Sequence, residues 1–316
     1  MQYICKKYII KKMSILVVGT VAFDAIETPF GKTDKIVGGA ATYIGLSASK
    51  FSKKINLVSV VGGDFPQSAI QLLENHNVNM DGLQIKENEK TFFWSGRYHN
   101  NMNNRDTIET QLNVLETFNP IVPESYKDCQ ILMLGNLMPI VQQQVFNQLN
   151  KKPELTVLDT MNFWMDNCLD DLMQALKHVD VLTINDEEAR QLSQEYSLVK
   201  AAKKIMSFGP KILIIKKGEH GALLFGKDKM FYTPAMPLEE VIDPTGAGDT
   251  FAGGFVGYLH QTQDFTFENM KKALIYASAM ASFCVEKMGT ERLVNLSDSE
   301  LTKRVDDFVD LSKVEL

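Results

Sequence analysis

Asp243-Pro244-Thr245-Gly246-Ala247-Gly248-Asp249-Thr250-Phe251, followed by Ala252, Gly253 and Gly254, sets two glycines and an alanine directly before a carboxylate. An apolar, small-residue helical pattern starts at the same place, with Phe251, Phe255, Tyr258 and Leu259 on its repeat. The first turn of a helix carries unpaired N–H groups and the positive end of the helix dipole, and glycines there remove the side chains that would keep a phosphate away. Asp249 would be repelled by such an anion, so its position needs a reason. Two readings stand. In one the run is an anion site with a base beside it; in the other it is a tight turn in which Asp249 caps the helix, Asp being a favoured N-cap residue. Gly253, Gly254 and Gly257 each cost about 1 kcal/mol relative to Ala inside a helix. They predict close packing of this helix against neighbouring backbone.

Outward from this run, short apolar stretches alternate with amphipathic ones. Ile15 to Val18, Ile55 to Val61, Ile131 to Leu134, Leu155 to Leu158, Val181 to Ile184 and Ile212 to Lys216 read as strands. Ala40 to Phe51, Gln67 to Asn75, Val141 to Leu149, Leu169 to Lys177, Glu187 to Glu195 and Lys200 to Phe208 read as helices. That alternation predicts an α/β fold with a mostly parallel sheet covered on both faces, and a ligand crevice at the carboxyl ends of its strands. Two regions break the rhythm. Residues 22–37 and 91–115 are extended and polar, and if they pair they make a small β-sheet standing off the main domain, as a lid, a structural edge extension or a dimer contact. The aromatic residues Phe92, Phe93, Trp94 and Tyr98 lie in it.

With 316 residues the chain can bury a sizeable core, and its net charge of −6 argues against a nucleic-acid partner. No apolar run reaches the ~20 residues a membrane crossing needs. Cys5, Cys129, Cys168 and Cys284 form no Cys-x-x-Cys pair and no zinc spacing, which points to a reducing cytoplasm. Residues 1–12 are basic and mildly amphipathic and read as an extension ahead of a domain spanning 13–316. Two nucleotide-binding motifs are excluded. Val17-Val18-Gly19 ends a strand but lacks the later glycines of a dinucleotide fingerprint, and Gly31-Lys32-Thr33 lacks the glycine that a Walker loop requires upstream.

Gly38-Gly39-Ala40-Ala41 near the N-terminus, together with Thr245-Gly246-Ala247-Gly248-Asp249, resembles the ribokinase-like (PfkB) carbohydrate and nucleoside kinases from Met13 to the C-terminus. The resemblance implies a three-layer α/β/α domain with a β lid, and transfer of a phosphoryl group from ATP to a hydroxymethyl group. Asp249 would then be the general base and Gly246, Ala247 and Gly248 the anion hole, a division that suits a loose transition state in which positioning and charge stabilisation dominate. An ordinary Asp, with pKa about 3.9, is ionised and ready to accept. Asp24 corresponds to a residue that binds two acceptor hydroxyls, which a carboxylate can do at once; as a residue alone it also reads as an Asx-turn. Gly38 and Gly39 would let backbone approach the acceptor. Tyr43 departs from the family, where many sugar kinases carry an Asn that bonds the substrate.

Asn185 and Glu188 match an Asn-x-x-Glu motif that organises magnesium-bound water and phosphate, and they equally read as a helix cap. Lys216, Gly218 and Gly221 match the segment beside the ATP phosphates and adenine, with a surface lysine and a plain turn as the alternatives. Thr245 belongs with these nucleotide contacts. Backbone carbonyls around Asp243, Thr245, Cys284, Lys287 and Gly289 match a monovalent-cation (K+) site. Asn162, after the fourth strand, is a candidate contact or a turn residue. The expected acceptor is a sugar, with adenosine or another nucleoside as the alternative and an inactive nucleotide or sugar sensor as the reading from another class. The expected assembly is a homodimer through the lid.

Overall fold

The computed structural model describes residues 13–313, so the basic extension 1–12 lies outside the described residues. In chain order the strands are β1 (Ile15–Val18), β2 (Ala22–Thr28), β3 (Gly31–Lys32), β4 (Ile36–Gly38), β5 (Ile55–Gly62), β6 (Val78–Lys86), β7 (Phe93–Tyr98), β8 (Arg105–Gln111), β9 (Ile131–Leu134), β10 (Leu155–Asp159), β11 (Val181–Asn185), β12 (Ile212–Lys216), β13 (Ala222–Gly226) and β14 (Lys229–Thr233). Nine of them form one sheet in the order β14-β13-β12-β11-β10-β9-β1-β5-β6. From β6 to β12 the pairing is parallel, and β13 and β14 add an antiparallel hairpin at one edge.

Alternation along each central strand sends its residues to two separate cores. Ile15 and Val17 of β1 join Ile55, Leu57, Met133 and Val157 on the face covered by helices Ala40–Ala48, Ala247–Thr262 and Phe267–Cys284. Leu16 and Val18 join Leu132, Leu134, Leu182 and Ile184 under Pro139–Asn147, Leu169–Leu176, Asp186–Ser193 and Leu198–Met206. Burying apolar surface on both faces at about 25 cal/mol per Å² is what makes near-continuous Val/Ile/Leu strands stable here.

The glycine-rich helix is packed as its sequence requires. A Cβ on Gly253 would lie 2.4 Å from the Ile44 carbonyl oxygen, and one on Gly257 would lie 2.8 Å from the Phe51 ring. Gly254 faces the other neighbour, with Ala277 Cα at 3.1 Å. Two helices therefore press against this one from either side.

The two irregular regions do pair. β2 runs parallel to β7, with Phe23 opposite Phe93 and Asp24 opposite Trp94, and β3, β4 and β8 complete a second, five-stranded sheet. Tyr98 of this small sheet reaches the main domain, its hydroxyl accepting from Thr245 Oγ1 at 3.2 Å. No helix among the described residues is long and apolar enough to cross a membrane.

The chain runs from β1 through β5 to β6 on one side, then returns and proceeds from β9 to β12 on the other. The direction of strand order thus reverses between β1 and β9, which opens a crevice at their carboxyl ends. Asp159, Asn185 and Lys216 are the last residues of three consecutive neighbours in the sheet, β10, β11 and β12. A row of ionisable and polar groups at that edge follows from where the apolar runs stop.

Candidate active site

The helix after the opening motif spans Ala247–Thr262, and its N-cap is Gly246, with φ of 75°. That left-handed backbone favours glycine. Space reinforces it, since a Cβ there would meet the Tyr43 ring at 2.5 Å. Asp249 therefore sits inside the first turn and not at the cap position, so the capping explanation fails. The Ala247 N–H is taken up by the Pro244 carbonyl, while the Gly248 N–H finds no acceptor among the described residues. A glycine at 248 also leaves room for Lys216, whose Nζ would be 3.0 Å from a Cβ there. The turn has the positive dipole end, an N–H without a partner and an ammonium beside it, which together suit an anion.

Asp249 does not keep an ordinary carboxylate's pKa. Burial pushes it up to about 7, Asp159 pushes the same way, and Lys216 and Arg105 oppose. Asp24 behaves alike: burial carries it to about 7 against the Gly39 N–H, with Asp243 and Asp249 adding to the rise. Burial also raises Glu188 to about 7, opposed by Lys216. The crevice thus gathers Asp24, Asp159, Glu188, Asp243 and Asp249 around two cations, Lys216 and Arg105, close enough to feel one another's charge.

The glycine pair after β4 serves this cluster in a way different from expectation. A Cβ on Gly38 would lie 1.9 Å from Asp24 Oδ2, so Gly38 makes room for the carboxylate. Gly39, with φ of 89°, presses against the Thr20 carbonyl and donates a long 3.4 Å hydrogen bond to Asp24 Oδ2. The pair positions Asp24. Tyr43 is 1% exposed, its ring lies on Gly246, and its hydroxyl has no hydrogen-bond partner among the described residues. It is a floor under the anion turn more than an open wall of the crevice.

Asn185 and Glu188 make a capping box: Asn185 Oδ1 accepts from the Glu188 N–H at 2.7 Å, and Glu188 Oε2 accepts from the Asn185 N–H at 2.8 Å. One Glu188 oxygen is thereby occupied, and the other remains for water-mediated contacts. Lys216 is no surface lysine. Its side chain is 17% exposed and its Nζ donates to Asp159 Oδ2 at 2.9 Å. Gly218 and Gly221, with φ of 53° and 77°, make the turn expected of them. With Lys216, Gly248, Met236, Phe251 and Val285 they line a cavity of about 460 Å³ beside the anion turn.

Asp243 is fully buried and ties the motif to the C-terminal segment, accepting from the Thr245 N–H at 2.9 Å and the Gly289 N–H at 2.8 Å. The Cys284 thiol donates to the Thr245 carbonyl at 3.5 Å, and burial pushes that thiol up to about 12. Asp243, Thr245, Cys284 and Gly289 are therefore brought together, whereas Lys287 is exposed. Asn162 does not line the cavity beside the anion turn. It opens a short helix, Asn162–Asn167, that turns its amide to Gln191.

Two charged groups escaped the sequence reading. Asp159 was passed over for Asn162, although ending a parallel strand was the signal that places a residue in the crevice. Arg105 had no signal, because every residue of β8 is exposed and the strand shows no apolar alternation. Only the pairing of Arg105 with Tyr98, and the stacking of its guanidinium 5.6 Å from the Trp94 ring centroid, direct its charge inward.

Comparison with known proteins decides what this geometry belongs to. Residues 12–295 match the model of the pfkB family carbohydrate kinases. The chain belongs to that family. It is a phosphotransferase with an alcohol group, of a sugar or a nucleoside, as acceptor. This pfkB-family kinase is 30% identical to the cytidine kinase of Thermococcus kodakarensis over 254 residues, covering 78% of this chain and 88% of that protein. It is 25% identical to the nucleoside kinase of Methanocaldococcus jannaschii, with 84% of each chain covered. The crystal structure of the latter enzyme superposes with a TM-score of 0.75 at 23% identity, over 93% of this chain and 99% of that one. The nine-stranded sheet with its small companion sheet is thus the ribokinase-type fold.

Proposed function

We propose that this kinase phosphorylates a nucleoside, using ATP and magnesium, in place of the sugar acceptor expected from sequence. The observation that carries the reading is the 30% identity to a cytidine kinase across 88% of that enzyme's length. The small sheet supports it. Register puts Trp94 beside Asp24 on one face, so a half-buried aromatic ring neighbours the carboxylate suited to a ribose diol. Phe93 points to the opposite face and packs into the core, so it is not offered to a base.

In this reading Asp24 accepts from two vicinal hydroxyls and Asp249 accepts the proton of the attacking hydroxyl. The acceptor oxygen bonds to the terminal phosphorus, the bond to the ADP oxygen breaks, and the leaving charge stays on ADP. The Gly248 N–H and the Lys216 ammonium stabilise negative charge on the transferring group. The cavity bounded by Met236, Phe251 and Val285 receives the nucleotide's base, and its volume and apolar walls fit one. Magnesium, when bound, would neutralise phosphate oxygens, and Glu188, with one oxygen outside its capping box, is the carboxylate that would hold its waters. For a monovalent cation the fit is poorer, since the Thr245 carbonyl already accepts from the Cys284 thiol. The small sheet closes over the acceptor as a lid, through Tyr98 on Thr245 and the charge of Arg105 acting on Asp24, Glu188 and Asp249.

Initial rates with MgATP and cytidine, adenosine, inosine, ribose and fructose test this. The best nucleoside should exceed both sugars in kcat/KM by roughly 10² or more, as expected where buried polar groups read the substrate. Faster phosphorylation of ribose or fructose than of any nucleoside would overturn it.

A further inference from the structure

The buried pair Lys216–Asp159 has no structural need that explains it. Replacing such a pair by apolar residues is often neutral or stabilising, so burial of an ion pair is weak evidence for a stability role. Its geometry is directional. Asp159 Oδ1 is anchored by the Thr160 N–H at 2.9 Å, leaving Oδ2 to take the ammonium. The ammonium has three donors and one hydrogen-bond partner among the described residues, and it lies against Gly248 in the cavity wall.

Resting on the phosphotransfer reading above, we propose that Asp159 is a positioning residue: it holds the Lys216 ammonium against the Gly246–Gly248 turn, where that charge meets the oxygens of the transferring phosphoryl group. The alternative partners of Lys216 show why a holder is required. Glu188 and Asp249 both act on its charge, and the ammonium stays protonated because Asp159 and Glu188 outweigh burial. Without Asp159 the lysine is free to pair with Asp249, which neutralises the base and removes the cation from the phosphate. With Asp159 in place, base and cation stay separate and both face the anion turn. A Cβ at 248 would press on the ammonium at 3.0 Å and push it back by a few tenths of an ångström, which gives the second glycine of the motif a further role in this chain.

The test compares Asp159→Asn, Lys216→Met, the double variant and Asp159→Glu in the full-length protein, with folding checked by thermal melts. Asp159→Asn keeps the acceptor for the Thr160 N–H and removes the charge. Two readouts are needed. Calorimetric binding of AMPPNP and ADP, each with magnesium, requires no acceptor. Lys216→Met should lose about 10-fold in affinity for AMPPNP and much less for ADP, and Asp159→Asn should move in the same direction. Turnover with cytidine should fall roughly 10–100-fold in Asp159→Asn, with the nucleotide KM changed far less, and the double variant should be no worse than Lys216→Met. Partial recovery in Asp159→Glu supports a positioning role. Unchanged AMPPNP-to-ADP preference and turnover in Asp159→Asn, or losses that multiply in the double variant, would overturn it. A wild-type protein that discriminates AMPPNP from ADP through Lys216 and Asp159 but phosphorylates no nucleoside refutes the acceptor proposal and upholds this one.

Discussion

Asp249 carries two demands that pull against each other. It must be ionised to accept a proton, yet the dry crevice that makes its hydrogen bond to the acceptor strong also pushes its pKa up to about 7. A carboxyl tuned to that value is a better base than an ordinary Asp, at the cost of being half protonated at neutral pH. In the free enzyme, kcat/KM should therefore rise with pH through an apparent value near 7 and level off above it, because only the ionised form accepts. Asp24 titrates in the same range, so the rise should be steeper than one proton. Asp249→Asn should lower kcat by roughly 10²–10⁴. A flat profile between pH 5.5 and 8 in the wild type, or an Asp249→Asn variant with more than a tenth of wild-type turnover, would remove Asp249 from this role.

The elements that frame the site depend on close approach between helices. Inside a solvated helix, Gly→Ala is favourable by about 1 kcal/mol. At Gly253 the sign should reverse, since a Cβ would lie 2.4 Å from the Ile44 carbonyl oxygen and 2.8 Å from Ser47 Cβ, and neither neighbour is a flexible side-chain end. Overpacking of that kind costs about 1–3 kcal/mol, so Gly253→Ala should lower the urea midpoint without changing the slope. A midpoint at or above the wild type would show that the two helices separate freely. The same elements show what could be read beforehand. Six central strands and the extended character of 22–37 and 91–115 were legible, because burial on two faces leaves uninterrupted apolar runs and β7 leaves alternation, whereas the pairing of the two regions stood only as a condition. β6 was not, since an edge strand with Asn79, Asp81 and Gln84 among its apolar residues resembles a loop; nor was the β13–β14 hairpin. In the site, residues on a local motif were legible. Arg105 was not, because its place depends on cross-strand register and on a ring contact that no sequence spacing records.

For the whole molecule, gathering carboxyls around the crevice opposes folding at neutral pH. Asp24, Glu188 and Asp249 are each raised to about 7, against about 4 in the unfolded chain. Between those values the native state holds more protons than the unfolded one, so stability is fully present below about pH 4 on this account and is lost as pH rises through 7. His260, lowered by burial, has the opposite sign in the upper part of that window, but it is one group against three. Exposed carboxyls that are lowered, Glu300 to about 2 among them, act only in more acidic solution. The unliganded protein should therefore melt at a higher temperature at pH 5.5 than at pH 8. Asp249→Asn should raise the stability at pH 8, by on the order of 2 kcal/mol, and shrink the difference in melting temperature between the two conditions. Loss of activity with gain of stability is the signature of a charge kept for chemistry. A melting temperature that climbs from pH 5.5 to 8, or an Asp249→Asn variant less stable than wild type at pH 8, would mean that the crevice carboxyls are compensated in the free protein and that the raised pKa of the base does not reflect an unpaired buried charge.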